Sequence, residues 1–236
     1  MDREQFFRRY KSDPAFRQRA KKRLARELVE GILTTTVAHG HISVKGKSPE
    51  QIMEEFRRYL PVKTIRSIPF LFAIDHTGDL RALGRELLKR GKSWIALVIY
   101  ATWVEHTLNR LVSIGVQRRG FSDATVKQII RDVSFSGKLS WLLPILGFRR
   151  LHPKHQETLR ALAEKRNEFV HYKWPYRESH PDAEIQSLLA QTDKALRYLA
   201  QYASRETLGG SKSQLMKAAR VTPNTRLQGT PARGRP

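Results

Sequence analysis

Residues 93–112 read SWIALVIYATWVEHTLNRLV, and this stretch decides the fold. Trp94, Leu97, Tyr100, Ala101, Val104, Leu108 and Leu111 recur at the three- and four-residue steps of an α-helix. That spacing predicts a long helix buried over most of its surface. Its apolar part, Trp94–Val104, spans 11 residues with Thr102 inside it, then meets Glu105, His106, Asn109 and Arg110. A bilayer span needs roughly 20 apolar residues. The segment therefore belongs in a protein core, and no membrane is expected as a partner.

Toward the C-terminus, Phe121, Ser122 and Asp123 open a second helix to about Val133. Leu139–Leu146 is a short apolar piece interrupted by Pro144. A third helix is expected over His155–His171, with Leu159, Leu162, Phe169 and Val170 facing inward and a halt near Trp174 and Pro175. A fourth, Asp182–Ala203, carries Ile185, Leu188, Leu189, Ala195, Leu196, Leu199 and Tyr202 on one stripe. Four helices with connections of this length suit an up-and-down bundle.

Toward the N-terminus, Ser12, Asp13 and Pro14 start a basic amphipathic helix with Phe16, Ala20, Leu24, Leu28 and Ile32 at steps of four. Thr34–Lys47 reads as a short hairpin or an irregular loop. Ser48, Pro49 and Gln51 form a capping-box start, with Pro61 closing the helix that follows. Another helix is expected over Leu80–Leu88. After Thr207, glycine, serine, proline and arginine dominate, a composition that cannot bury a core. The chain is thus expected to be all-α, with a helical basic accessory region over residues 1–90, a four-helix domain over 91–205 and a disordered basic tail over 206–236.

Of 236 residues, 44 are Lys or Arg and 22 are Asp or Glu, giving a net charge of +22 and a pI near 10.7. The excess is present in every region of the chain, which points to polyanions, and to nucleic acid ahead of an anionic membrane surface. With no cysteine, disulfides, thiolate catalysis and Cys-ligated zinc are excluded. Charge across Met1–Tyr10, where a secretory leader needs an apolar run, leads to the expectation of a cytoplasmic protein. The glycines show no phosphate-loop or dinucleotide spacing, and no carboxylate cluster suggests a two-metal nuclease. No cofactor is expected.

The segment with chemistry in it is Glu164–Trp174, EKRNEFVHYKW. Asn167 and His171 are one helical turn apart and share a face. Arg166 lies about 140° around the axis from His171 by the 3.6-residue period. A histidine can take the proton of a ribose 2′-hydroxyl or return one to a leaving oxygen. A guanidinium holds a phosphate through two donors and stays charged as negative charge develops. Such a pair could cut RNA without a metal, because the neighbouring 2′-hydroxyl is the nucleophile. Spacing alone is cheap, since Arg150 and His155 have the same separation across Pro153. What distinguishes Arg166 and His171 is their place at the end of an apolar helix.

Arg166-Asn167-x-x-x-His171 on the third long helix resembles the R-x(4-6)-H signature of HEPN domains. Trp103, Val104, Glu105, Thr107, Leu108 and Asn109 are similar to that family's apolar helix with an embedded glutamate. The resemblance covers roughly residues 92–204. It implies a helical-bundle ribonuclease, often a homodimer with two Arg/His pairs facing one cleft, of the kind found in toxin–antitoxin and anti-phage defence systems. It further implies that Arg166 binds the scissile phosphate, Asn167 supports it, His171 is the acid or base, and Glu105 orients Arg166. The resemblance also implies a non-catalytic alternative, since the family includes members that bind nucleotides or partners.

Lys165, Lys173, Trp174, Tyr176 and Arg177 flank the motif and are candidates for phosphate contact and base stacking. A plainer reading stands beside each assignment. Arg166 would pair with Glu164 or Glu168, His171 would cap a helix end, and Glu105 would pair with Arg110 or Asn109. His39 and His41 lack a third metal ligand at a recognisable spacing, Asp75, His76 and Asp79 suit a turn, and Trp94, Tyr100 and Trp103 suit a core. The sequence therefore supports an endoribonuclease first, a non-catalytic RNA-binding or partner-binding module second, and a scaffold for a cognate antitoxin third.

Overall fold

The computed structural model describes residues 3–60, 77–171 and 182–220. Among these, every regular element is helical and there is no strand. In chain order they are α1 (Arg3–Ser12), α2 (Pro14–Ala38), α3 (Pro49–Tyr59), α4 (Thr77–Lys89), α5 (Ser93–Gln117) and α6 (Asp123–Asp132). There follow α7 (Phe135–Gly137), a π-helical segment (Lys138–Leu142), α8 (Leu143–Ile145), α9 (Pro153–Val170), α10 (Asp182–Leu208) and α11 (Lys212–Arg220). No helix among the described residues is long and apolar enough to cross a membrane. The chain divides into two compact units, one containing α1, α2 as far as Val37, α3 and α11, the other Ala38–His41 and α4 to α10.

In the first unit, Asp13 starts α2 by accepting the Phe16 N–H at 2.8 Å. Ser48 starts α3 with a complete capping box: its hydroxyl accepts the Gln51 N–H at 3.3 Å, and the Gln51 side chain accepts the Ser48 N–H at 2.8 Å. Thr34–Ala38 is the last turn of α2, and the chain beyond it is irregular, without a hairpin. Leu24 and Leu28 are exposed, so the four-residue stripe of α2 is not a core stripe along its whole length; burial is complete only at Leu33. The disordered tail expected from residue 206 is corrected here. Helix α10 continues to Leu208, and 212–220 form α11, which packs on α3. Leu215, Ala218 and Ala219 are spaced i, i+3, i+4 and are buried, as are Ile52, Met53 and Phe56 of α3. The expected tail beyond residue 220 lies outside the described residues, as does Pro61.

In the second unit, α5 is the hub, packed by α4, α6, α9 and α10, while α9 and α10 also pack on each other. Leu97, Val104, Leu108, Leu111 and Val112 have no solvent exposure, as the spacing in residues 93–112 requires. The expected boundary at residue 90 is corrected, because α4 belongs with α5. Gly84 brings the two helices together: a Cβ built there would sit 2.3 Å from Cε1 of the buried Tyr100 ring. Arg81 lies 5.4 Å over the Trp103 ring in the same interface. Helix α6 is shorter than the other helices around α5, with Val126 as its buried residue.

Two arginines close helix ends in this unit. Arg118 donates to the carbonyls of Ala38 (2.6 Å), Glu206 (3.2 Å) and Thr207 (2.8 Å). Arg119 donates to those of Leu146 (2.6 Å) and Ile145 (2.8 Å). Carbonyls at helix C-termini have no intrahelical donor, and a guanidinium supplies several in one plane.

Candidate functional site

On α9, Leu159, Leu162 and Ala163 are buried, and Arg166 follows at the next i+3/i+4 step of that stripe. Its side chain is therefore directed at α5. Arg166 Nη2 donates to Glu105 Oε2 at 2.7 Å, with both side chains partly shielded from solvent. Arg166 Nε is buried and has no acceptor. Among the described residues Arg166 therefore pairs with Glu105 rather than with Glu164 or Glu168.

One turn along α5 from Glu105, Asn109 Oδ1 accepts from Lys138 Nζ at 2.8 Å. Lys138 also donates to the Ile130 carbonyl at 2.7 Å. This lysine is buried, which pulls its ammonium below its ordinary pKa, and the negative charge of Glu105 offsets part of that. One carboxylate is consequently set between two cations, Arg166 in direct contact and Lys138 at longer range. The sequence reading overlooked Lys138, although a single charge in the apolar run Leu139–Leu146 and its flank was a visible signal.

His171 is the C-cap of α9 (φ −95°, ψ 18°), its backbone N–H bonded to the Asn167 carbonyl at 3.0 Å. Both side chains, His171 and Asn167, are exposed and make no hydrogen bond among the described residues. The structure therefore joins Arg166 to Glu105 but not His171 to either. Phe169 and Val170, expected to face inward, are exposed; Phe169 stacks on Trp94 with centroids 5.5 Å apart. They occupy the last turn, beyond the level at which the stripe is covered.

Lys165 lies 3.1 Å from Glu168 and 3.1 Å from Glu184, joining α9 to α10. Burial lowers its pKa, and the two carboxylates outweigh burial and leave it raised. Lys173, Trp174, Tyr176 and Arg177 lie outside the described residues. Tyr100 and Trp103 are core residues. His39 and His41 stack 6.3 Å apart; burial first, then the positive charge of His41 and Arg118, holds His39 below its usual range. No group of three metal-ligating side chains occurs among the described residues. Asp75 and His76 are outside them, and Asp79 is in the first turn of α4.

No protein-family model, curated protein or solved structure matches this chain.

Proposed function

We propose that this protein is a metal-independent endoribonuclease of HEPN type, acting as a homodimer in prokaryotic toxin–antitoxin or anti-phage defence, with RNA as substrate and a cognate antitoxin protein as a further partner. In this reading α5, α6, α9 and α10 are the four bundle helices, and the protein is cytoplasmic. The observation that carries it is the Arg166–Glu105 pair. A carboxylate on the hub helix fixes one edge of the guanidinium, so that its remaining donors have a defined direction when a phosphate arrives.

The chemistry follows from residue types. The His171 imidazole removes the 2′-hydroxyl proton as that oxygen attacks the adjacent phosphorus. The P–O5′ bond breaks, and the leaving oxygen takes a proton, giving a 2′,3′-cyclic phosphate and a 5′-hydroxyl. Arg166 stabilises the charge that accumulates on the phosphoryl oxygens, and Asn167 supplies a polar contact at the helix end.

A second reading, a non-catalytic RNA-binding or partner-binding module, draws on the exposed His171 side chain, which makes no hydrogen bond among the described residues. Cleavage of a labelled structured RNA in EDTA separates the two. We expect the parent to leave cyclic-phosphate ends and His171→Ala to lose activity by about 100-fold or more, the usual scale of a general acid–base contribution. Equal cleavage by His171→Ala would overturn the nuclease assignment. Salt-sensitive binding without cleavage by the parent would establish the binding module.

A further inference from the structure

A second cluster of basic and aromatic side chains stands apart from Arg166 and Glu105, where the chain enters α9. An open cleft of about 610 Å³ is lined there by Ser140, Arg150, His152, Gln156 and Tyr198, with no carboxylate in its lining. Its volume falls within the range of small-molecule sites, roughly 300–1,000 Å³.

The backbone that forms one wall is held at three points. The Arg149 N–H donates to Glu206 Oε2 at 3.1 Å, the Arg149 carbonyl accepts from the Tyr202 hydroxyl at 2.5 Å, and the His152 N–H donates to the Tyr198 hydroxyl oxygen at 2.8 Å. Leu151, between them, is buried. Burial is the main reason that the Tyr202 phenol is held well above its usual range, which keeps it a donor to this loop. Tyr198 is itself fixed by the His155 ring, stacked at 4.3 Å and 20°. The loop is therefore anchored through its backbone while Arg150 and His152 project outward. Arg150 is exposed, and its guanidinium has neither hydrogen bond nor ion pair among the described residues. Arg90 and Arg197 in the same unit, by contrast, are paired with Glu86 and Asp193.

We propose that this cleft binds a phosphodiester of single-stranded RNA, with Arg150 on the phosphate, His152 beside it and Gln156 offering hydrogen bonds to the sugar or base edge. The identity of the strand rests on the reading of this protein as RNA-directed; the anion site rests on the cleft itself. An unpaired guanidinium on an anchored backbone, in a cleft free of carboxylates, suits a phosphate and disfavours a cationic ligand.

The experiment is fluorescence anisotropy of a labelled ten-nucleotide oligouridylate in EDTA, with full-length protein carrying His171→Ala so that the strand stays intact. Arg150→Ala is compared with Arg197→Ala, which removes an exposed arginine already paired with Asp193. We expect Arg150→Ala to weaken binding about three- to tenfold and to lower the salt slope by about 0.7, the value of one phosphate contact on a single strand. Arg197→Ala should leave both near the parent values. Identical affinity and slope for the two variants would overturn the proposal. Oligouridylate should also shift the His152 ring resonances in NMR spectra, and unshifted resonances at saturating strand would count against it. If the chain with His171 intact does not cleave RNA yet Arg150→Ala weakens binding, the cleft stands and the nuclease reading falls. If it cleaves and Arg150→Ala equals Arg197→Ala, the reverse holds.

Discussion

Lys138 is a buried cation with two acceptors, Asn109 Oδ1 and the Ile130 carbonyl. The second belongs to the last turn of α6, where no intrahelical donor is available, so the ammonium acts as a helix C-cap. Replacing it by methionine keeps the volume and removes the donor. Lys138→Met should therefore lower stability by about 1–3 kcal/mol, the cost of leaving buried acceptors unpaired. Chemical denaturation checks this, and an unchanged midpoint would mean that water replaces the ammonium. At the same scale, the candidate site was legible only in part. Arg166 follows Leu162 and Ala163 on one stripe, so its inward direction was implicit in the sequence. Its acceptor is 61 residues away in the chain, and the link rested on a family resemblance rather than on spacing. The commitment of Lys165 to Glu184 was not legible, because it depends on how α9 and α10 pack.

Gly84 decides how closely α4 approaches α5, since a methyl group there would overlap the Tyr100 ring. Tyr100 is only 2% exposed and has little room to retreat. Alanine is the better helix former by about 1 kcal/mol. Overpacking a rigid interface costs about 1–3 kcal/mol, so the steric term wins. Gly84→Ala should accordingly lower the thermal midpoint by a few degrees, whereas the same change at Gly31, a helical site with open space around it, should raise it. Calorimetry on the two variants reads the difference in sign. Local signals made the helix starts legible: Asp13, the Ser48 capping box and Ser122, which accepts the Thr125 N–H, all begin helices where the sequence places them. Partnership between helices was not legible. Gly84 looks like a weak point in a helix until Tyr100 is placed against it, and the three buried apolar residues of α11 are masked by the glycine and serine before them and the prolines after.

Across the whole molecule, a net charge of +22 opposes compaction, because like charges are closer in the folded chain than in the unfolded one. Added salt has two opposed effects. It weakens exposed ion pairs such as Arg23–Glu27, Arg58–Glu54 and Arg90–Glu86, each between residues four apart at the surface. It also screens repulsion among the excess cations, with the screening length falling from about 30 Å at 0.01 M to about 8 Å at 0.15 M. The pairs act over one turn and are few, whereas the repulsion involves every region of the chain, so relief of repulsion should dominate. The thermal midpoint is expected to rise from 0.01 M to 0.15 M sodium chloride. An oligouridylate should raise it at the lower salt concentration, and much less at the higher one, since counterion release drives that binding. Scanning calorimetry at the two ionic strengths, with and without the oligonucleotide, tests both parts. A midpoint that falls with salt would mean that the surface cations are already neutralised locally, and a polyanion would then have little to gain from the charge of this protein.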